Sequence, residues 1–197
     1  MQHLTSDKIA PPPFLTSIEQ ATQEIGFTMG SDRLTGSLLR TLVAAKPAAG
    51  VLELGTGTGL ATAWLLDGMD SNATLITVDQ DERAPAIARK FLGKDPRITF
   101  VTMSGATFIE TAQREEQRFD FIFADMPPGK FRLLEETINL LNPGGLYIVD
   151  DLLPVPDWEP DHAGRVSAFI TTLEQRTDLH VTQLSWSVGL LIATKTA

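Results

Sequence analysis

Val51-Leu52-Glu53-Leu54-Gly55-Thr56-Gly57-Thr58-Gly59-Leu60 is an apolar run that breaks into three alternating glycines and resumes as a helical pattern. A buried strand that turns through glycines into a helix leaves backbone N–H groups bare beside the crevice where open α/β sheets bind their ligands. The spacing narrows the choice of ligand. Glycines at 55, 57 and 59 read G-x-G-x-G, whereas a dinucleotide fingerprint needs its third glycine one position later, where Leu60 stands. No Lys-Ser or Lys-Thr follows, so a phosphate-cradling P-loop is disfavoured as well. Glu53 is an acid inside the apolar run. A buried carboxylate is costly unless paired, so Glu53 is expected to bond to backbone N–H groups or to a ligand.

Outward from this loop, short apolar runs alternate with longer helical patterns, the mark of βαβ units around a parallel sheet. The runs are 51–54, 74–78, 98–101, 119–124 and 146–149, each nearly continuous in apolar residues, as a strand covered on both faces requires. Helices are predicted between them at 60–66, 82–92, 105–113 and 131–141. Upstream, one helix is expected from Ser17, with Gln20 in a capping box, to a stop at Gly26. A second follows Thr35, its stripe carried by Leu38, Leu39, Leu42 and Val43, and ends at Lys46-Pro47. Downstream, a Pro-rich acidic loop at 152–160 leads into a helix near 165–176 and strands at 179–184 and 188–193. The short gap Ser185-Trp186-Ser187 suits an antiparallel hairpin, which parallel neighbours cannot use. Residues 1–13, ending in Pro11-Pro12-Pro13, read as a flexible arm, and 14–197 as one domain.

Composition excludes several classes of function. With 197 residues, 43% hydrophobic and 21% charged, and no long apolar run, the chain reads as an ordinary globular protein with no membrane span; the cytoplasm is the default compartment. Zero cysteines exclude disulfides, thiolate metal sites and a cysteine nucleophile. A formal charge of −9 repels polyanions, and the basic residues Arg83, Arg89, Lys90, Lys94 and Arg97 are interleaved with Asp81, Glu82 and Asp95, so no nucleic-acid partner is expected.

Asp79, in Thr77-Val78-Asp79-Gln80, lies about 20 residues past the glycine loop, where an acid accepts both hydroxyls of a ribose. Its bland reading is a cap on the helix that follows. The co-occurrence of loop and acid favours the ribose role.

With these features in place, residues 29–195 resemble the S-adenosylmethionine-dependent O-methyltransferases of the catechol and caffeoyl-coenzyme A group. The resemblance is carried by Met29-Gly30-Ser31 and Gly36 upstream of the glycine loop, by Leu140-Leu141-Asn142-Pro143-Gly144-Gly145-Leu146, and by the acidic pair Asp150-Asp151. It implies a Rossmann-like α/β fold with seven mostly parallel strands, a C-terminal antiparallel hairpin and helices on both faces. S-adenosylmethionine would be held by Met29 and Ser31, by Glu53, Gly55, Thr56, Gly57 and Gly59, by Asp79 and Gln80 at the ribose, by Gly105 and Ala106 at the adenine edge within Ser104-Gly105-Ala106-Thr107, and by Asp125. A divalent ion, Mg or Mn, would be held by Asp125, Asp150 and Asp151, an all-oxygen set suited to such ions. The acceptor would be a small, aromatic hydroxyl compound, and the protein a homodimer. Three positions depart from the family pattern: Asp151 replaces the usual Asn, Pro128 stands where the family has a lysine, and Ala61 replaces a serine. The nearest lysine, Lys130, is the candidate base beside the catalytic Asp125.

Rival readings stay open at this stage. Asp150-Asp151 can simply end a strand, and Asp125 can cap the next helix. Met126-Pro127-Pro128-Gly129 reads as a rigid loop, Trp158 as an acceptor cover or a loop anchor, and His162 as a base or a polar residue at a helix start. His3 and His180 carry no signal. An aminopropyltransferase on the same scaffold, or a non-catalytic S-adenosylmethionine-binding protein, are the alternatives to methyl transfer.

Overall fold

The apolar runs pair side by side because each is covered on both faces. In the computed structural model, which describes residues 9–153 and 161–196, they form one seven-stranded sheet. Its strands are β1 (Gly50–Leu54), β2 (Thr74–Asp79), β3 (Ile98–Thr102), β4 (Phe119–Ala124), β5 (Leu141–Val149), β6 (Leu179–Leu184) and β7 (Leu190–Lys195), in the order β3-β2-β1-β4-β5-β7-β6. The first five are mutually parallel, and β7 runs antiparallel to both β5 and β6, as the short hairpin gap requires. Strand order reverses between β1 and β4, so a crevice opens beyond their C-terminal ends.

Alternate side chains of each strand feed opposite cores. On one face Val51, Leu75, Phe121 and Phe123 pack with Leu15 and Ile18 of α1 (Leu15–Glu24), Leu39 and Val43 of α2 (Arg33–Ala44), Trp64 and Leu65 of α3 (Leu60–Gly68) and Leu92 of α4 (Arg83–Leu92). On the other, Leu52, Leu54, Ile122 and Tyr147 pack with Ile109 of α5 (Gly105–Arg114), Ile138 of α6 (Leu134–Asn139) and Phe169 and Leu173 of α7 (His162–Glu174). Each such side chain contributes about 1.5–3 kcal/mol of burial. Among the described residues no helix is long and apolar enough to cross a membrane.

Several boundaries differ from the sequence expectation, each for a local reason. α2 starts at Arg33 rather than after Thr35, because the Asp32 side chain accepts from the Thr35 amide at 2.9 Å and caps the helix there. The helix expected at 131–141 shrinks to α6: the Pro127 carbonyl collects the amides of Phe131 and Arg132, and Leu133 takes a left-handed φ of 56° just before the first turn. β5 begins at Leu141, not 146. Leu141 pairs with Phe119 and Leu146 with Phe121, so Asn142-Pro143-Gly144-Gly145 bulges out of the strand where Pro143 has no N–H to give the ladder. The hairpin turn extends to Gly189, whose amide donates to the Trp186 carbonyl, and β7 starts at Leu190 instead of 188. Of the N-terminal arm, residues 1–8 lie outside the described residues. Residues 9–13 are attached to the body: Ile9 packs on the core, Pro12 is buried, and Arg40 donates to the Ala10 carbonyl at 3.1 Å.

Candidate functional site

β1 ends where Asp125, the residue after β4, passes alongside it. Gly55 has φ 109°, and a Cβ there would lie 2.8 Å from the Asp125 carbonyl oxygen, so only glycine fits between the two strand ends. The Asp125 amide donates to the Leu54 carbonyl at 2.9 Å and fixes this junction. Beyond it lies a cavity of about 320 Å³, within the range of small-molecule sites. It is lined by the glycine loop at Gly55, Thr56 and Gly57, by Asp79 and Gln80 after β2, by Met29 and Ser31 before α2, and by Asp125 after β4.

Asp79 is oriented from both sides. Its Oδ2 accepts the Gly57 amide at 2.9 Å and its Oδ1 the Asp81 amide at 3.0 Å. It does not cap α4, which begins after Glu82. Ser31 donates to Asp125 Oδ2 at 3.3 Å, so the loop before α2 reaches across to the acid after β4. Met29, at 78% exposure, sits at the mouth.

Glu53 corrects the sequence expectation. It is fully buried beneath the loop, outside the cavity lining, and its partners are side-chain hydroxyls rather than backbone amides: Thr62 and Thr77 each donate to Oε2 at 2.6 Å. Thr77 in turn bonds Thr56 at 2.6 Å, so the chain of contacts ends in the glycine loop itself. Burial pushes the Glu53 carboxyl up to about 7, the two hydroxyls offset part of this, and the Asp79 charge adds to it. Gly59 and Gly105 are likewise packed closely against neighbouring elements. A Cβ on Gly59 would come 2.6 Å from that of Ala88, and one on Gly105 2.7 Å from Met126 Sδ. Ala106 follows Gly105 into α5 and is not part of the lining.

The cavity's Asp125 is shared with an acidic centre. Asp125, Asp150 and Asp151 each offer a carboxylate oxygen, and these oxygens lie within 4.8 Å of one another. Burial first, then the neighbouring charges of Asp150 and Asp151, raises Asp125 well above the usual carboxylate range; burial and Asp151 raise Asp150. The turn that carries Lys130 is set by Gly129, at φ 94°, whose carbonyl accepts the buried Tyr147 hydroxyl. Lys130 therefore points inward: it is buried, donates through Nζ to the Asp150 carbonyl, and faces all three acids. Burial lowers its ammonium below the ordinary lysine value, against the pull of Asp151, Asp125 and Asp150.

A family model matches the chain across the glycine loop, Asp79 and the acidic pair. The model, described as a methyltransferase domain, covers residues 52–152, from within β1 to just past the acidic pair. The chain belongs to this methyltransferase family. A relative from Mycobacterium sp. (strain JLS), provisionally named an O-methyltransferase, is 31% identical over 140 residues, which are 68% of this chain and 63% of the relative. A catechol O-methyltransferase from Niastella koreensis is 28% identical over 124 residues, 60% of this chain and 56% of that one. The fold is similar to that of an O-methyltransferase from Bacillus cereus solved with SAH, with a TM-score of 0.84 and 22% identity over 97% of this chain and 94% of that one.

Some residues of this methyltransferase domain escape sequence reasoning. Phe27 and Met126 line the cavity, and the only local hint of Phe27 is its place between Gly26 and Met29-Gly30-Ser31. Thr62 and Thr77 lie on different elements and meet only through Glu53. His162 is part-buried, with Nε2 3.1 Å from the Asp151 carbonyl, a contact between residues eleven apart in sequence that no spacing reveals. Trp158 lies outside the described residues.

Proposed function

We propose that the protein transfers the methyl group of S-adenosylmethionine to a hydroxyl of a small aromatic acceptor. The observation that carries this reading is that Asp125 belongs at once to the glycine-loop cavity and to the acidic centre, so a cofactor in the first and an acceptor at the second would meet at one side chain. The names of the relatives and of the solved neighbours, O-methyltransferases among them one solved with SAH, support the same chemistry.

Cofactor binding rests on the glycine-loop backbone, the Asp79 carboxylate and Gln80, with Met29 and Ser31 on the methionine side. The three acids fit a divalent ion: they are oxygen ligands of one cluster, with carboxylate oxygens within 4.8 Å of one another. Such an ion, when bound, lowers the pKa of an acceptor hydroxyl. In the transfer the acceptor oxygen bonds the methyl carbon as its bond to the sulfonium sulfur breaks, and alignment of the two supplies much of the acceleration. Lys130 would take the hydroxyl proton, a role supported by its nearness to the three acids and by burial, which lowers its ammonium below the ordinary lysine value. The family resemblance also supports a homodimer, which sedimentation would test.

The reading is tested by incubating the protein with S-adenosylmethionine and a catechol panel, with magnesium and then with EDTA. Methylated catechol that disappears with EDTA is the expected result. Turnover unchanged by EDTA would remove the metal, and no methylated product with any acceptor would remove the enzymatic assignment.

A further inference from the structure

The acidic centre depends on an unusual backbone. Asp151 has φ 61°, in the left-handed region that non-glycine residues seldom occupy, although Asp and Asn tolerate it better than most. Its amide donates to Asp150 Oδ1 at 2.8 Å, and the next two amides are pinned to the opposite turn, Leu152 to the Gly189 carbonyl at 3.1 Å and Leu153 to the Val188 carbonyl at 2.7 Å. The Asp151 carbonyl has its own partner: His162 Nε2 stands 3.1 Å from it. A carbonyl only accepts, so Nε2 carries the hydrogen.

The same imidazole meets Phe131 edge to face, with ring centroids 5.7 Å apart at 87°, and Phe131 in turn meets Phe169 at 6.0 Å and 83°. His162 and Phe169 both belong to α7, and Phe131 follows Lys130 directly. One side chain therefore touches the main chain of an acidic ligand on one side and the neighbour of the buried lysine on the other.

We propose that His162 is a positioning residue of the acidic centre: by donating to the Asp151 carbonyl while packed on Phe131, it holds the left-handed turn that aims the Asp151 carboxylate at Asp125 and Asp150. The role needs a hydrogen-bond donor at the Nε2 position, not a titrating base, and glutamine can place its amide NH2 close to that point. The proposal rests on the metal reading only for its consequence, a tighter cation site; the backbone restraint itself is independent of any ion.

The experiment compares wild type, His162→Ala and His162→Gln, each saturated with SAH. Manganese affinity is read by calorimetry, and the backbone carbonyl 13C and amide 15N shifts of Asp151 by NMR. His162→Ala should weaken manganese binding about tenfold, the lower end of what loss of an outer-shell partner costs. It should also move the Asp151 shifts and leave SAH affinity within about twofold, which shows that the fold persists. His162→Gln should restore both readouts toward wild type. Unchanged Asp151 shifts in His162→Ala, or a glutamine variant no better than alanine, would overturn the positioning role. If wild type takes up no manganese, the metal reading falls, and the Asp151 shifts alone then decide for or against His162.

Discussion

The Gly57 amide donates to Asp79 Oδ2 at 2.9 Å, so the glycine loop after β1 and the acid that ends β2 are joined within the protein itself. With the Asp81 amide on the other oxygen, the carboxylate is held in one orientation at the cavity wall. Side chains fixed in this way lose little freedom when they grip a ligand, which strengthens binding without added contact area.

Glu53 makes stability depend on pH. The folded protein keeps a proton on this carboxyl up to about 7, whereas the unfolded chain releases it near the ordinary value of 4.5. Between those values the folded state binds more protons, so the contribution of Glu53, complete below the lower value, is lost as pH rises through the upper one. The loss approaches about 3 kcal/mol. Urea unfolding of ligand-free protein at pH 5 and pH 8 should show it, and Glu53→Gln, which keeps an oxygen for Thr62 and Thr77, should flatten the difference. A gap between wild type and variant that is the same at both pH values would contradict this.

Gly36 makes a different point about packing. A Cβ there would lie 2.1 Å from Trp64 Cδ1, and Trp64 is 1% exposed in the core under α2 and α3. The ring has nowhere to go, so Gly36→Ala should cost about 3 kcal/mol. That corresponds to a melting temperature roughly 6–12 °C lower by calorimetry. A shift of less than about 2 °C, within what a neutral surface change gives, would show that the two helices part easily.

Much of this was legible in the sequence because it was local. The apolar runs 51–54 and 119–124 specify buried strands by themselves, and G-x-G-x-G with Asp79 marks the crevice. What stayed hidden was set by contacts between distant residues. The short α6 follows from the Pro127 carbonyl and the Leu133 turn, and the partners of Glu53 come from α3 and β2. Lys130 could be named as the nearest lysine, but its burial against the Asp150 carbonyl depends on Gly129, in the turn after β4, and Tyr147, within β5. The acid pair was visible as Asp150-Asp151; the left-handed turn at Asp151 was not, because the contacts around it come from Val188, Gly189 and His162, distant in sequence.

Lys130→Met separates proton removal from binding. The substitution keeps the length of the side chain and removes its nitrogen. Methylation of the best catechol should fall in kcat by about 10²–10⁴-fold, the usual worth of a positioned acid or base. SAH affinity should stay within about twofold, because Lys130 does not line the cofactor cavity. A variant that loses SAH affinity and kcat together would assign Lys130 a role in holding the fold around Asp150 instead.

Asp79 is where the account is most directly exposed. Calorimetric titration of S-adenosylmethionine should find one site per chain in wild type, and Asp79→Ala should bind about 10–100-fold more weakly, the worth of losing hydrogen bonds to a charged acceptor. Thermal unfolding without ligand would confirm that the variant is folded. Wild-type protein that takes up no S-adenosylmethionine, or an Asp79→Ala variant that binds it as tightly, would contradict the assignment of this crevice.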